Sequence, residues 1–135
     1  MEAILTKHIL AVVEIPNFLP LEKMADELEI AIDGIKFKKE DTGRFEEVPA
    51  FIAEDTNSSA KFVLFGIPEG EFGDAYTLEF SAETDMPMRE FKKSTLKFLS
   101  SFLNERATNS RGFLDYSDDL ADALNTKGIK TCKLT

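Results

Sequence analysis

The chain has no tryptophan, one histidine and one cysteine in 135 residues. With Cys132 alone, no intramolecular disulfide can form, which fits a reducing compartment. Lys130 and Lys133 lie near enough in sequence to lower its pKa, yet a partly buried, unreactive thiol is the expectation. With His8 alone, a catalytic triad or a histidine metal cluster has at most one imidazole to draw on. A general base also needs partners within reach, so His8 is expected to be structural or at the surface. Long apolar runs are missing too. The stretch from Ile9 to Val13 stops at Glu14, far short of the roughly 20 residues that span a bilayer. No small-residue cleavage pattern follows it, so the N-terminus does not read as a signal peptide.

Positive charge is also scarce. Lysine and arginine number 16 against 25 acidic residues, a formal charge of −9. A phosphate backbone or an anionic lipid surface must be met by clustered cations, so nucleic acid and membranes are not expected partners. The excess of carboxylates favours solubility and steers basic partners toward the surface. A cytoplasmic location is the expectation, together with no cofactor and no metal.

The familiar chemical motifs are absent. Gly66, Gly70 and Gly73 follow a strand-like run, as phosphate loops do, but their spacing fits no glycine motif. Glu69, Glu71 and Asp74 in the same loop would repel phosphate, and a strand pattern follows where an anion-binding helix would be needed. Asp115, Asp118, Asp119 and Asp122 cluster without the spacing of a calcium loop. They suit the first turn of a helix, where capping and the dipole favour acids. No set of acid, base and nucleophile emerges, and the chain does not read as an enzyme.

What is present describes one folded domain, 1–135. Hydrophobic residues make up 43% and charged residues 30%, and twelve phenylalanines predict a Phe-rich core. Residues 3–15 read as a strand ended by Pro16 and buried on both faces near Ile9 to Val13. Pro20 opens a helix whose apolar stripe runs from Leu21 to Ile32, and Gly34 stops it. Strands follow at 35–38, 45–54 and 62–65, separated by polar turns such as Asp55 to Ser59. The clean alternation from Tyr76 to Glu83 gives a half-exposed strand.

Asp85 is placed to cap a long helix over 87–107, striped by Met88, Phe91, Thr95, Phe98, Leu99 and Phe102. Arg89, Lys93 and Lys97 would form a basic ridge on its far side. Ser117 caps a short helix ended by Gly128, with Ile129 folding back on Leu124. A last strand is expected over 129–134. The fold class is therefore α+β, a mainly antiparallel sheet in the order β-α-β-β-β-β-α-α-β, covered by one long amphipathic helix.

Three functions from different classes fit this reading. The leading one is an acidic protein-binding module, a toxin-neutralising inhibitor of the immunity type that receives a basic protein. Its carboxylate-rich face would combine Glu69, Glu71 and Asp74 with Asp115, Asp118, Asp119 and Asp122. The alternatives are a homodimeric secretion chaperone with an exposed apolar surface for a client, and a small-molecule-binding domain with a Phe-lined pocket. A monomer or a homodimer suits the first.

Overall fold

The computed structural model describes residues 6–16, 18–40, 48–68 and 70–133. Glu69 lies outside the described residues, as do most of the expected strand between 45 and 49 and the start and end of the chain. Strand β1 (Lys7–Pro16) buries Ile9, Ala11, Val13 and Ile15 and leaves Leu10, Val12 and Glu14 half-covered. This period of two puts alternate side chains on opposite faces. The strand is therefore not buried equally on both sides, as its run of apolar residues suggested.

Helix α1 (Leu21–Ala31) follows, burying Met24, Ala25, Leu28 and Ala31. It stops where expected: the Gly34 amide donates to Glu29 O at 2.7 Å, and both Asp33 and Gly34 have positive φ. Strands β2 (Lys38–Lys39), β3 (Ala50–Glu54), β4 (Lys61–Phe65) and β5 (Ala75–Thr84) form an antiparallel meander. The Asp55 turn between β3 and β4 closes as its composition predicts. The Asp55 carboxylate accepts from the Asn57 amide at 3.0 Å and from Ser58 Oγ at 2.8 Å.

β5 then pairs along all of β1, giving the sheet order β2-β3-β4-β5-β1-β6, with β7 also beside β1. β6 (Phe113–Asp115) runs parallel to β1 at His8 to Leu10, and β7 (Cys132–Lys133) runs antiparallel at Val13 and Glu14. Between them helix α4 (Ser117–Thr126) begins, and Ser117 Oγ accepts from the Val12 amide at 2.9 Å. One serine thus fills the gap in the outer edge of β1 that two short strands leave open.

The long helix over 87–107 is not formed. Instead α2 (Met88–Ser94) and α3 (Lys97–Ser100) are separated at Thr95, which is extended at φ −111 and ψ −176. Helical spacing of the apolar residues survives this break, which is why the stripe reads as continuous. Two remote carboxylates cause the second start and secure the first. Asp33 Oδ2 accepts from the Phe98 amide at 2.7 Å, and Glu105 Oε1 accepts from the Met88 amide at 2.9 Å. Asp85 caps neither helix and accepts from Thr6 Oγ1 instead. The basic ridge is accordingly split, with Arg89 and Lys93 on α2 and Lys97 on α3.

Buried residues of α1, α2, α3 and α4 join Ile9, Ala11, Val13 and Ile15 of β1, Phe62 and Leu64 of β4, and Leu78 and Phe80 of β5 in one cluster. Phe62 packs on Phe80 at 5.0 Å between ring centroids and on Phe37 at 6.5 Å. These rings fill the space beneath the helices with one another. Among the described residues no helix is long and apolar enough to cross a membrane.

Candidate protein-binding surface

The loop from Gly66 to Asp74 joins β4 to β5 and is anchored at its root. A Cβ on Gly66 would lie 2.7 Å from Leu21 Cδ2 and 2.9 Å from Pro49 Cγ, so any larger residue there would force these side chains to shift. The Gly66 amide donates to Pro49 O at 2.8 Å. A turn follows, with the Glu71 amide donating to Pro68 O at 3.0 Å and Gly70 at φ 83. This turn presents Glu71, Phe72 and Asp74 to solvent, and the Phe72 ring is fully exposed. Neither carboxylate has a side-chain hydrogen bond or ion pair among the described residues.

Beside the loop lies a concavity of about 430 Å³ lined by Glu14, Pro16, Phe18, Asp74, Ala75 and Cys132. Phe18 is 72% exposed, and Lys130 Nζ sits 5.9 Å from its ring centroid. Cys132 is an exposed free thiol, not the partly buried one expected. Its partner across the ladder is the half-buried Glu14 of β1.

The aspartates at the other candidate patch do different work. Asp115 Oδ1 accepts from the Ser117 amide at 2.9 Å and from Ser117 Oγ at 2.6 Å, closing the turn into α4. Asp119 is held by Arg106 through both oxygens, at 2.9 and 3.1 Å. Arg106 also donates to Asp115 O at 2.8 Å and lies 3.9 Å over the Tyr116 ring. Its hydrogen bond to Asp119 is the main reason the Arg106 pKa is raised. Burial pushes the Tyr116 hydroxyl pKa up, and that hydroxyl donates to Asn104 O. These contacts clasp the segment after α3 to the start of α4. Asp118 and Asp122 are exposed.

The loop and the α4 patch are not neighbours in the sheet. Asp74 adjoins Ala75, which pairs with Pro16, whereas Asp115 pairs with Leu10. Six positions along β1 separate the two, about 20 Å at the rise of a strand. Around the concavity beside the loop, Asp74 is brought together with Glu14 and the exposed Phe18, which sequence reasoning did not single out. Phe72 was legible in principle, as a lone aromatic in a loop of glycines and acids. The pairing of Asp119 was not, because Arg106 is distant in sequence and sits in a segment expected to be helical.

His8 has Nδ1 3.2 Å from Glu83 Oε1 and stands edge-on to Phe113 at 5.9 Å, both at the surface of the uncovered sheet face. Among the described residues no group of three or more histidine, cysteine or acidic side chains is placed to hold a metal ion. No family model matches the chain, and neither a curated protein nor a solved structure matches it.

Proposed function

We propose that this chain is a non-enzymatic protein-binding module that captures a basic protein, such as a cationic toxin domain, in the manner of an immunity-type inhibitor. The observation that carries this reading is Phe72, fully exposed on an anchored loop between two carboxylates that have no side-chain partner among the described residues. Burying a Phe side chain from water is worth about 1.5–3 kcal/mol, and the folded chain leaves that gain unused at this position. An aromatic anchor ringed by like charges matches the anatomy of a binding hot spot, where the ring supplies affinity and the charges choose the partner.

Phe18, Glu14 and Asp74 extend the same surface, and a partner guanidinium could take the place of Lys130 over the Phe18 ring. Asp122 adds to the field that steers a cation in, while Asp115 and Asp119 are occupied by the fold. The formal charge of −9 supports the same choice of partner. The test is capture from the native cell with the tagged chain, washed at low and high salt. A stoichiometric basic protein, released by salt and lost on Glu71→Lys, is the expected result. No such protein at either salt would refute the reading.

A further inference from the structure

We propose that the concavity where β1 leaves the sheet is an arginine-selective site, and that Lys130 is an internal occupant displaced by a guanidinium of the basic partner. This rests on the reading above for the partner's charge, and adds which side chain enters and what holds its place. Val13 and Ile15 point into the core, so Glu14 and Pro16 point to the opposite face of the sheet. Cys132 pairs with Glu14 from one side, and Ala75 pairs with Pro16 from the other. The chain then folds back on itself, with the Phe18 amide donating to Pro16 O at 3.0 Å. Phe18 and Asp74 complete the walls of the hollow, whose volume is about 430 Å³.

The charge of this hollow has one sign. Its described lining holds the carboxylates of Glu14 and Asp74 and no lysine or arginine. Neither carboxylate has a side-chain partner among the described residues. A second, independent observation points to a cation. The Lys130 ammonium already stands 5.9 Å from the centroid of the exposed Phe18 ring. Lys130 has no carboxylate partner among the described residues, so the ring is what draws it there. At this distance a cation–π contact is at its outer limit, and the ammonium is held loosely enough to be exchanged.

The geometry also selects the shape of the cation. Glu14, Asp74 and Cys132 share the hollow but are not placed to hold a metal ion together, so a compact ion finds no shell of ligands. A guanidinium is planar, with its donors spread along its edges, so it lies flat on a ring while its edges reach carboxylates. It is also more weakly hydrated than an ammonium and gives up less on leaving water. A lysine of the partner brings the same group that Lys130 already supplies. The volume falls in the range of ligand pockets, about 300–1,000 Å³. Asp74 lies two positions after Phe72 in the same loop, so a partner seated on that ring is within reach of the hollow.

The experiment is a titration of the ¹⁵N-labelled chain with acetyl-arginine amide and with its lysine and citrulline counterparts, citrulline having the shape of arginine without its charge. Amide shifts centred on Glu14, Phe18, Ala75 and Cys132 are expected. The arginine compound should bind at least about fivefold tighter than the lysine compound and about tenfold tighter than the citrulline compound. Cys132 is the one thiol of the chain and is exposed in the hollow, so its alkylation should slow as the arginine compound is added. Phe18→Leu, Glu14→Gln and Asp74→Asn should each weaken binding about threefold or more. Glu22→Gln, on the exposed face of α1, should leave it unchanged. Lys130→Gln removes the internal occupant and should strengthen binding about twofold or more. Shifts mapping elsewhere, equal binding of the three compounds, or no gain in Lys130→Gln would overturn the proposal. Phe72→Ala should leave binding of the arginine compound intact, so failure of the loop and failure of the hollow are told apart.

Discussion

Replacing Asp119 by asparagine isolates the contact that distinguishes a structural aspartate from one open to a partner. In the folded chain Asp119 receives both terminal nitrogens of Arg106, and each side chain is 27% exposed. Hydrogen bonds to charged groups contribute about 1.5–3 kcal/mol, and partial exposure to water and salt argues for the lower end, about 1.5 kcal/mol. Arg106→Ala removes more. It also loses the bond to Asp115 O and the stacking on Tyr116, for a total of about 3 kcal/mol. Asp122 is exposed and its side chain caps nothing, so Asp122→Asn should change stability by less than about 0.5 kcal/mol.

The assay is urea unfolding followed by far-ultraviolet circular dichroism, since the chain has no tryptophan to report fluorescence. A double-mutant cycle over Arg106 and Asp119 should give a coupling energy of about 1 kcal/mol or more. Equal midpoints for Asp119→Asn and Asp122→Asn would refute the reasoning. The clasp also bears on function: a charge reversal at Asp119 disturbs the fold, so loss of binding in that variant would say little about a partner surface.

Ser117→Ala leaves the Val12 amide without its acceptor; stability should fall by about 1–2 kcal/mol, with hydrogen exchange at Val12 accelerated ahead of its neighbours. Asp33→Ala removes the acceptor at the Phe98 amide and places alanine at φ 53, costing about 1–2 kcal/mol, whereas Asp33→Asn should recover much of the loss in the same unfolding assay. Burial raises the pKa of Tyr116 and of Tyr76 above the ordinary value of 10.0. The unfolded chain therefore loses these protons first, so their contribution is complete below pH 10 and disappears as pH rises through the folded values. Tyr116→Phe should flatten the alkaline limb of the stability profile, and an unchanged limb would contradict the assignment.

Much of the fold was legible because local chemistry and tertiary packing agreed. The alternation from Ala75 to Thr84 is the strand observed, and the Gly34 and Gly128 stops are in place. The Ile129 amide returns to Leu124 O at 2.9 Å and the Gly128 amide to Asn125 O at 3.0 Å, the closure expected from that glycine. Failure came where distant groups decided the outcome. Asp33 and Glu105 start α3 and α2 from outside them, so a continuous apolar stripe folds as two helices. β6 escaped notice because three residues are too few for a period, and only its pairing to β1 makes it a strand. Of the candidate acids, Glu71 and Asp74 are exposed without side-chain partners, while Asp115 and Asp119 serve the turn and the clasp. Sequence position alone does not separate these roles.

The central claim is that Phe72 anchors a basic protein. The most direct measurement is the dissociation rate of the captured partner from the native chain and from Phe72→Ala, at matched stability. Phe72 touches nothing that holds the fold, so the variant should unfold at the same urea concentration yet release its partner at least about tenfold faster, the usual loss for a truncated aromatic hot spot. Equal dissociation rates would contradict the account and move the search for a partner surface away from this loop.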